Sequence, residues 1–237
     1  MLVITGSKRI NKELVLLPGM DGTGILFKPF IDALSSSINT TVIDYPTDKK
    51  LSYPQLLTYV KTKLPDRRFV LLAESYSGPI AFQLAQDESL KLDKVIFAAS
   101  FISNPNTTLL SLINFLPLRL ILKLPIPSLL IKYFCFGQYI TQDLTELFVR
   151  SINKVKSDVL ADRILSLETI PTPDRNIDTP CLVIEAKNDK LLSDVAQQVI
   201  LQKCNNYEKI SIEGPHFILQ TRYQALVQKL STYIQDN

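Results

Sequence analysis

The feature that most constrains the fold is an alternation of short apolar runs with segments whose apolar residues recur at helical spacing. The first run is continuous rather than alternating, as is typical of a strand covered by helices on both faces. The alternation predicts an α/β fold, in which a mostly parallel sheet carries helices on both faces. The last predicted helix runs from about Phe217 to Ile234. The predicted strands are Leu14–Leu17, Thr41–Asp44, Phe69–Ala73, Val95–Ala99, Cys181–Ile184 and Lys209–Ile212.

The alternation lapses between Phe101 and Pro180, after the strand that ends near Ala99. Connections longer than about 15 residues are usually functional or disordered, and this one is too apolar to be disordered. We therefore predict a helical lid, inserted at about 101–172 into a single domain that spans 1–237.

The composition of the lid suggests what it covers. From Phe101 to Gln142 the charged residues are all basic, namely Arg119, Lys123 and Lys132, among many Leu, Ile and Phe. Such a cover suits an acyl chain or another apolar group, and a basic amphipathic element also predicts weak contact with a membrane surface. The alternative is that these apolar residues only pack the lid onto the core.

Charge and cysteine content exclude several classes of protein. The 26 basic and 23 acidic residues give a formal net charge of +3, scattered along the chain, whereas nucleic-acid binders concentrate positive charge on one face. Three widely spaced cysteines form neither a disulfide framework nor a C-x-x-C metal pair. These cysteines, together with first residues that do not resemble a secretory signal, predict a cytoplasmic protein. The sequence leaves its oligomeric state open.

Ser75 is a candidate nucleophile. It lies where a buried strand breaks into a helix, with Ala73 and Ser77 on either side and Gly78 next. A serine hydroxyl is a weak nucleophile unless it is presented clear of its own backbone and beside a base, which a tight strand-to-helix turn achieves. The alternative is an ordinary helix N-cap, a common position for serine.

His216 is the only histidine, so a serine nucleophile that needs an imidazole base has no other candidate. The alternative for a lone loop histidine is a surface residue or one with a structural role. A third residue, a carboxylate, should fix the imidazole tautomer. Asp189 follows the fifth predicted strand and is the candidate, with Glu185 and Asp194 as competitors; Asp194 is better explained as an acid in the first turn of a helix.

The glycine-rich loop Pro18–Gly24 follows the first predicted strand. Its spacing matches neither G-x-G-x-x-G nor a Walker loop, which disfavours phosphate binding. As an oxyanion loop, it would direct the backbone N–H of Met20, together with that of Tyr76, at the negative oxygen of an acyl-transfer intermediate. Asp21 is predicted to cap the following helix.

Four segments in chain order resemble the motifs of the α/β-hydrolase family. They are the oxyanion loop at Leu16–Gly24, the nucleophile elbow at Leu72–Gly78, the acid strand and loop at Ile177–Asp189 and the base at Gly214–Phe217. The resemblance implies the α/β-hydrolase fold and the triad order Ser75, Asp189, His216.

Two features depart from the family pattern. The family elbow is G-x-S-x-G, whereas this chain has Ala73 and Ser77 at the two glycine positions. The family also often begins with an antiparallel hairpin, for which only Met1–Ile10 is available, so we predict a sheet shortened at its first edge.

These observations predict a serine hydrolase that cleaves a carboxylic ester or thioester with an apolar acyl part. The partner is a small-molecule acyl substrate, and neither a metal nor an organic cofactor is implied. An acyltransferase is one alternative, because the loop Pro-Gly-x-Asp-Gly-Thr-Gly also occurs in plant-type ester synthases of this fold. A noncatalytic binding member of the fold is the other.

Overall fold

A computed structural model describes residues 12–34, 36, 38–105 and 117–236 of the protein. The predicted shortening of the sheet at Met1–Ile10 lies outside these residues, as does part of the predicted lid, residues 106–116.

The described sheet has six strands, and all its neighbouring strands pair in parallel in the order β2-β1-β3-β4-β5-β6. The strands are β1 (Lys12–Leu17), β2 (Ile38–Val42), β3 (Phe69–Glu74), β4 (Leu92–Ala98), β5 (Cys181–Ala186) and β6 (Tyr207–Ile212). The predicted α/β fold is confirmed. The second strand begins and ends earlier than the predicted Thr41–Asp44, because β2 is an edge strand that alternates buried and more exposed residues.

Helices cover both faces of the sheet. They are α1 (Lys28–Ala33), α2 (Tyr53–Lys61), α3 (Gly78–Ala85), α4 (Leu118–Ile121), α5 (Ser128–Leu130), α6 (Gln142–Asn153), α7 (Ser157–Ser166), α8 (Asp194–Lys203), α9 (Ile218–Thr221) and α10 (Tyr223–Gln235). A π-helical segment, Ile131–Phe136, continues α5, and 3-10 turns lie at Ile25–Phe27, Ser75–Ser77, Gly137–Tyr139 and Leu167–Thr169.

The two faces of the sheet form two separate cores because strand side chains alternate. Val15 and Leu17 of β1 pack with α2, α3 and α8, whereas Leu14 and Leu16 pack with α1, α9 and α10. The strands β1, β3, β4 and β5, which lie between the edge strands β2 and β6 in the sheet, are therefore covered on both faces. This explains the continuous apolar runs in the sequence.

The prediction of the last helix is wrong in one respect. Instead of one helix from Phe217 to Ile234, the chain leaves helical geometry at Arg222, where φ is −126° and ψ is 18°. Ile218 and Leu226, on either side of the break, are buried in the same core. The apolar pattern therefore continues across the break and does not reveal it.

Helices α4 to α7 lie between β4 and β5, where the sequence predicts an insertion. Part of the insertion has a core of its own, in which Phe136 and Phe148 pack with Leu26 of the main body. Among the described helices, none is long and apolar enough to cross a membrane.

Candidate active site

Ser75 follows β3 directly and begins the 3-10 turn that leads into α3. Its φ is 47°, in the left-handed region that residues with a side chain rarely adopt. Such strain costs on the order of 1–3 kcal/mol and persists only where the surroundings enforce it. Ser75 is not a helix N-cap: Glu74 precedes the turn, Ser77 precedes α3, and neither position shows a side-chain cap bond.

Close packing holds this turn. A Cβ on Gly78 would lie 1.9 Å from the carbonyl oxygen of Phe101, so glycine is required there. The hydroxyl of Ser100 donates to the carbonyl of Ser75 over 2.7 Å. The strand, the turn and the segment after β4 are thereby locked together around the candidate nucleophile.

The departure from G-x-S-x-G at position 77 has a structural explanation. Ser77 is fully buried, and its hydroxyl donates to the carbonyl of Pro18 in the glycine-rich loop. Because its proton is used there, Ser77 accepts from the hydroxyl of Tyr45. The serine therefore ties the turn of Ser75 to the glycine-rich loop, a contact that a glycine could not make.

Three residues from distant parts of the chain form one hydrogen-bonded line. The Oγ of Ser75 lies 2.8 Å from Nε2 of His216, and Nδ1 of His216 lies 2.7 Å from Oδ2 of Asp189. They follow β3, β6 and β5, whose carboxyl ends meet at the same edge of a parallel sheet. The structure thus brings together the three residues singled out in the sequence, while their catalytic role stays a prediction.

Local contacts aim the carboxylate and the imidazole at each other. The other oxygen of Asp189, Oδ1, accepts from the backbone N–H groups of Leu191 and Leu192 over 2.8 and 3.0 Å. The N–H of Asn188 donates to the carbonyl of Gly214 over 3.0 Å, which joins the two loops. With Nδ1–H donating to Asp189, Nε2 of the imidazole is free to accept the serine proton.

The two competing carboxylates lie in other environments. Glu185 is on β5 and forms an ion pair of 3.0 Å with Lys209 on β6. Asp194 lies in the first turn of α8, beside the N-cap Ser193, as its sequence context suggests.

The charge of Asp189 controls the protonation of His216. The two side chains are only 2% and 6% exposed. Burial by itself lowers the pKa of His216, but the charge of Asp189, its hydrogen bond and the charge of Glu74 outweigh burial. The pKa of His216 therefore lies above its ordinary value of 6.5.

Glu74 is a second buried carboxyl that the sequence analysis did not single out. It is 4% exposed, and its Oε1 accepts from Nε2 of Gln220 over 2.8 Å. Burial raises the pKa of Glu74 to about 7, although the hydrogen bond from Gln220 opposes that rise. An acidic residue ending an otherwise apolar buried strand was the available signal, since such residues are rarely buried without a partner.

The glycine-rich loop forms a tight turn beside Ser75. The N–H of Gly22 donates to the carbonyl of Gly19 over 3.0 Å, and Gly22 has a φ of 69°. Asp21 does not cap the following helix, because its buried carboxylate accepts from the N–H of Thr23 over 2.9 Å and from the Thr23 hydroxyl. Both hydrogen bonds are made to Oδ2 of Asp21 and stay within the loop.

Met20 lies in this turn and is partly buried, whereas Tyr76, next to Ser75, is fully buried. Their assignment as oxyanion donors stays a prediction. Within the described parts of the chain, no group of three or more His, Cys, Asp or Glu residues is placed to hold a metal ion.

Comparison with known families agrees with this fold. Residues 53–215, more than half of the chain, match the model of the Hydrolase_4 family, serine aminopeptidase S33. The chain belongs to this family of α/β hydrolases. The matched region includes Ser75 and Asp189 and ends one residue before His216.

Solved α/β-hydrolase structures share the fold at low sequence identity. An α/β hydrolase from a Medee basin deep-sea metagenome is 17% identical with a TM-score of 0.78, covering all of this chain and 92% of that one. An esterase from Exiguobacterium antarcticum is 17% identical with a TM-score of 0.77, covering 95% and 92%. A lipase-esterase related protein from Clostridium acetobutylicum is 16% identical with a TM-score of 0.76, covering 96% of each chain.

One curated relative is similar over part of the chain. Phytyl ester synthase 1, chloroplastic, from Arabidopsis thaliana is 29% identical over 122 residues. The match covers 47% of this chain and 17% of that protein, so the chain spans less than a fifth of its relative's length.

Proposed function

We propose that this α/β hydrolase is a serine hydrolase that cleaves a carboxylic ester or thioester with an apolar acyl part through an acyl-enzyme intermediate. The hydrogen-bonded line from Ser75 through His216 to Asp189 carries the proposal. A nucleophile in contact with a base, and a base in contact with an orienting carboxylate, is the arrangement that acyl transfer requires.

In the first half of the reaction, Oγ of Ser75 attacks the substrate carbonyl while Nε2 of His216 takes the hydroxyl proton. Asp189 stabilises the imidazolium that forms. The N–H groups of Met20 and Tyr76 hold the tetrahedral oxyanion. When the intermediate collapses, the bond to the leaving alcohol or thiol breaks, and His216 gives its proton to that group.

In the second half, water attacks the acyl-enzyme. His216 takes one proton from the water and returns it to Oγ of Ser75 as the ester bond breaks, which releases the carboxylic acid. No step needs an oxidant, a reductant or another co-reactant.

The insertion supplies apolar surface beside this centre. A cavity of about 450 Å³ is lined by residues of the insertion, among them Leu129, Lys132 and Tyr133, and by Asn188, Lys190 and Pro215, which adjoin Asp189 and His216 in the sequence. We assign the apolar part of the substrate to this side of the site, with the insertion acting as its lid.

The test uses Ser75→Ala with Ser211→Ala as the matched control, since Ser211 is an exposed residue of the edge strand β6 whose hydroxyl bonds to Glu185. Turnover of p-nitrophenyl esters and labelling by a fluorophosphonate should disappear in the folded Ser75 variant and persist in the control. Undiminished turnover by Ser75→Ala would end the proposal. Graded ester and acyl-CoA chain lengths then report the acyl preference and the leaving group.

Acyl transfer to an alcohol is the second candidate, favoured by the similarity to an ester synthase. It differs only in the group that attacks the acyl-enzyme. Product analysis with a long-chain alcohol present separates the two, because a transferase yields the new ester in preference to the free acid. A folded protein whose Ser75 resists the fluorophosphonate would instead support the third candidate, a noncatalytic binding member of the fold.

We also propose that the insertion contacts anionic membrane surfaces weakly. Between residues 117 and 142, its exposed large apolar side chains are Leu120, Ile121, Leu124, Leu129, Leu130 and Tyr133, of which Leu129 is 72% exposed. Lys123 and Lys132 lie among them, and residues 117–142 contain no acidic residue. Apolar side chains among basic ones suit the boundary between anionic headgroups and acyl chains.

A further inference from the structure

Arg163 is a buried cation on α7 of the insertion that reaches the glycine-rich loop. It is 5% exposed. Its Nη1 donates to the carbonyls of Met20 and Asp21 over 2.8 and 2.9 Å, and its Nη2 donates to the carbonyl of Pro46 over 2.9 Å. One guanidinium therefore joins the insertion to two consecutive carbonyls of the predicted oxyanion loop.

The environment of Arg163 is built for a guanidinium. A buried charge is costly unless hydrogen bonds replace its lost hydration, and here three backbone carbonyls do so. The carbon atom Cζ also lies 5.7 Å from the ring centre of Tyr45. The planar fork of arginine contacts all three carbonyls at once, which the ammonium of lysine cannot do in the same geometry.

Gly22 shows that the loop is shaped around this group. A Cβ at position 22 would lie 2.6 Å from Nη1 of Arg163 and 2.9 Å from Cβ of Tyr45. Its positive φ alone would favour glycine. The close approach gives a second, independent reason, since any larger residue would displace the guanidinium.

We propose that Arg163 is a positioning residue that holds the oxyanion loop in its reactive conformation. The hydrogen bond from Gly22 to Gly19 closes the turn only at its ends. The Asp21 carbonyl that Arg163 holds shares its peptide plane with the Gly22 N–H, and the Gly19 carbonyl that accepts from this N–H shares its plane with the Met20 N–H. By fixing the Asp21 carbonyl, Arg163 therefore restrains the direction of the Met20 N–H through the hydrogen bond that closes the turn. The oxyanion hole is then complete only when α7 of the insertion is seated on the loop.

This inference rests on the proposed function, because it requires Met20 to act as an oxyanion donor. Removing one such donor outright typically lowers turnover roughly 10²- to 10³-fold. Arg163 acts through the backbone, so we expect a smaller loss, about 10- to 100-fold in kcat for Arg163→Lys, with KM nearly unchanged. The variant keeps the positive charge and removes only the fork.

The matched control is Arg150→Lys, on the exposed face of α6 in the same insertion. Both variants are compared with the parent enzyme for kcat, KM and the affinity of a trifluoromethyl ketone, which forms a tetrahedral adduct on the serine. The affinity of the product carboxylic acid serves as the ground-state reference. We expect Arg163→Lys to lose adduct affinity by the same factor as kcat/KM while acid binding is unchanged, and Arg150→Lys to lose neither.

A merely structural role gives a different result, in which thermal stability falls while the ratio of adduct affinity to acid affinity stays at its parent value. That result, or parent kcat in folded Arg163→Lys, overturns the inference. If the lysine variant does not fold, Arg163→Ala is assayed with millimolar methylguanidinium: restored kcat supports the inference, and none overturns it. Undiminished turnover by Ser75→Ala would instead defeat the proposed function itself.

Discussion

Replacing Glu74 by glutamine tests the electrostatics of the site through stability. The pKa of this buried carboxyl is about 7 in the folded protein, compared with an ordinary 4.5. At about 1.4 kcal/mol per pKa unit, the difference corresponds to about 3 kcal/mol. A raised pKa means that the full stability is present below pH 4.5, where both states are protonated, and is lost as pH rises to about 7.

The substituted glutamine cannot ionise and keeps an oxygen that can accept from Gln220, so Glu74→Gln should escape this loss. Relative to the parent, its free energy of unfolding should increase by up to about 3 kcal/mol between pH 4.5 and pH 8. Urea unfolding at several pH values measures the difference, and Glu88→Gln, at an exposed position, is the control. If the free energy of unfolding of Glu74→Gln differs from that of the parent by the same amount at pH 4.5 and at pH 8, the reasoning is refuted.

The same variant should change the pH profile of activity. The charge of Glu74 contributes to the raised pKa of His216, so removing that charge should lower this pKa. The acid limb of kcat/KM, which reports the free enzyme's base, should move to lower pH. An unmoved limb would mean that Glu74 is not ionised when His216 titrates.

Three further predictions concern the triad, the turn and the insertion. Asp189→Asn should lower kcat roughly 10⁴-fold in steady-state kinetics, while circular dichroism shows an intact fold. In the parent, kcat/KM should rise with pH through a midpoint above 6.5, because the pKa of His216 is raised. Gly78→Ala should cost more than about 3 kcal/mol in urea unfolding, since its Cβ meets the Phe101 carbonyl; a stable variant would contradict this. Leu124→Ser should lower the fraction of protein that sediments with phosphatidylserine vesicles. If the parent protein binds neutral phosphatidylcholine vesicles equally well, the proposed preference for anionic membrane surfaces is wrong.

Much of the fold follows from local pattern. A strand that is covered on both faces is apolar along its buried stretch, so β3, β4 and β5 are evident from the continuous runs Phe69–Ala73, Val95–Ala98 and Cys181–Ile184. The edge strand β2 lacks that burial and is therefore placed a few residues away from its actual position. The break at Arg222 leaves no trace, because both helices bury the same face.

The line of Ser75, His216 and Asp189 was predictable because chemistry restricts the candidates: one histidine, one serine at a strand-to-helix turn, and few carboxylates after a strand. The chain order and the parallel topology then place them at one edge. Asp21 shows the limit of such reasoning, since its neighbour Thr23 decides where its carboxylate points.

By itself, the sequence determined which side chains could do chemistry and which segments had to be buried, since residue type and periodicity are local properties. Only the tertiary structure decided that Glu74 lies close enough to His216 to influence its charge and that Arg163 contacts Met20. An arginine in an amphipathic helix ordinarily faces solvent. Its burial against a loop 143 residues away depends on how two distant segments pack, and no local pattern encodes that contact.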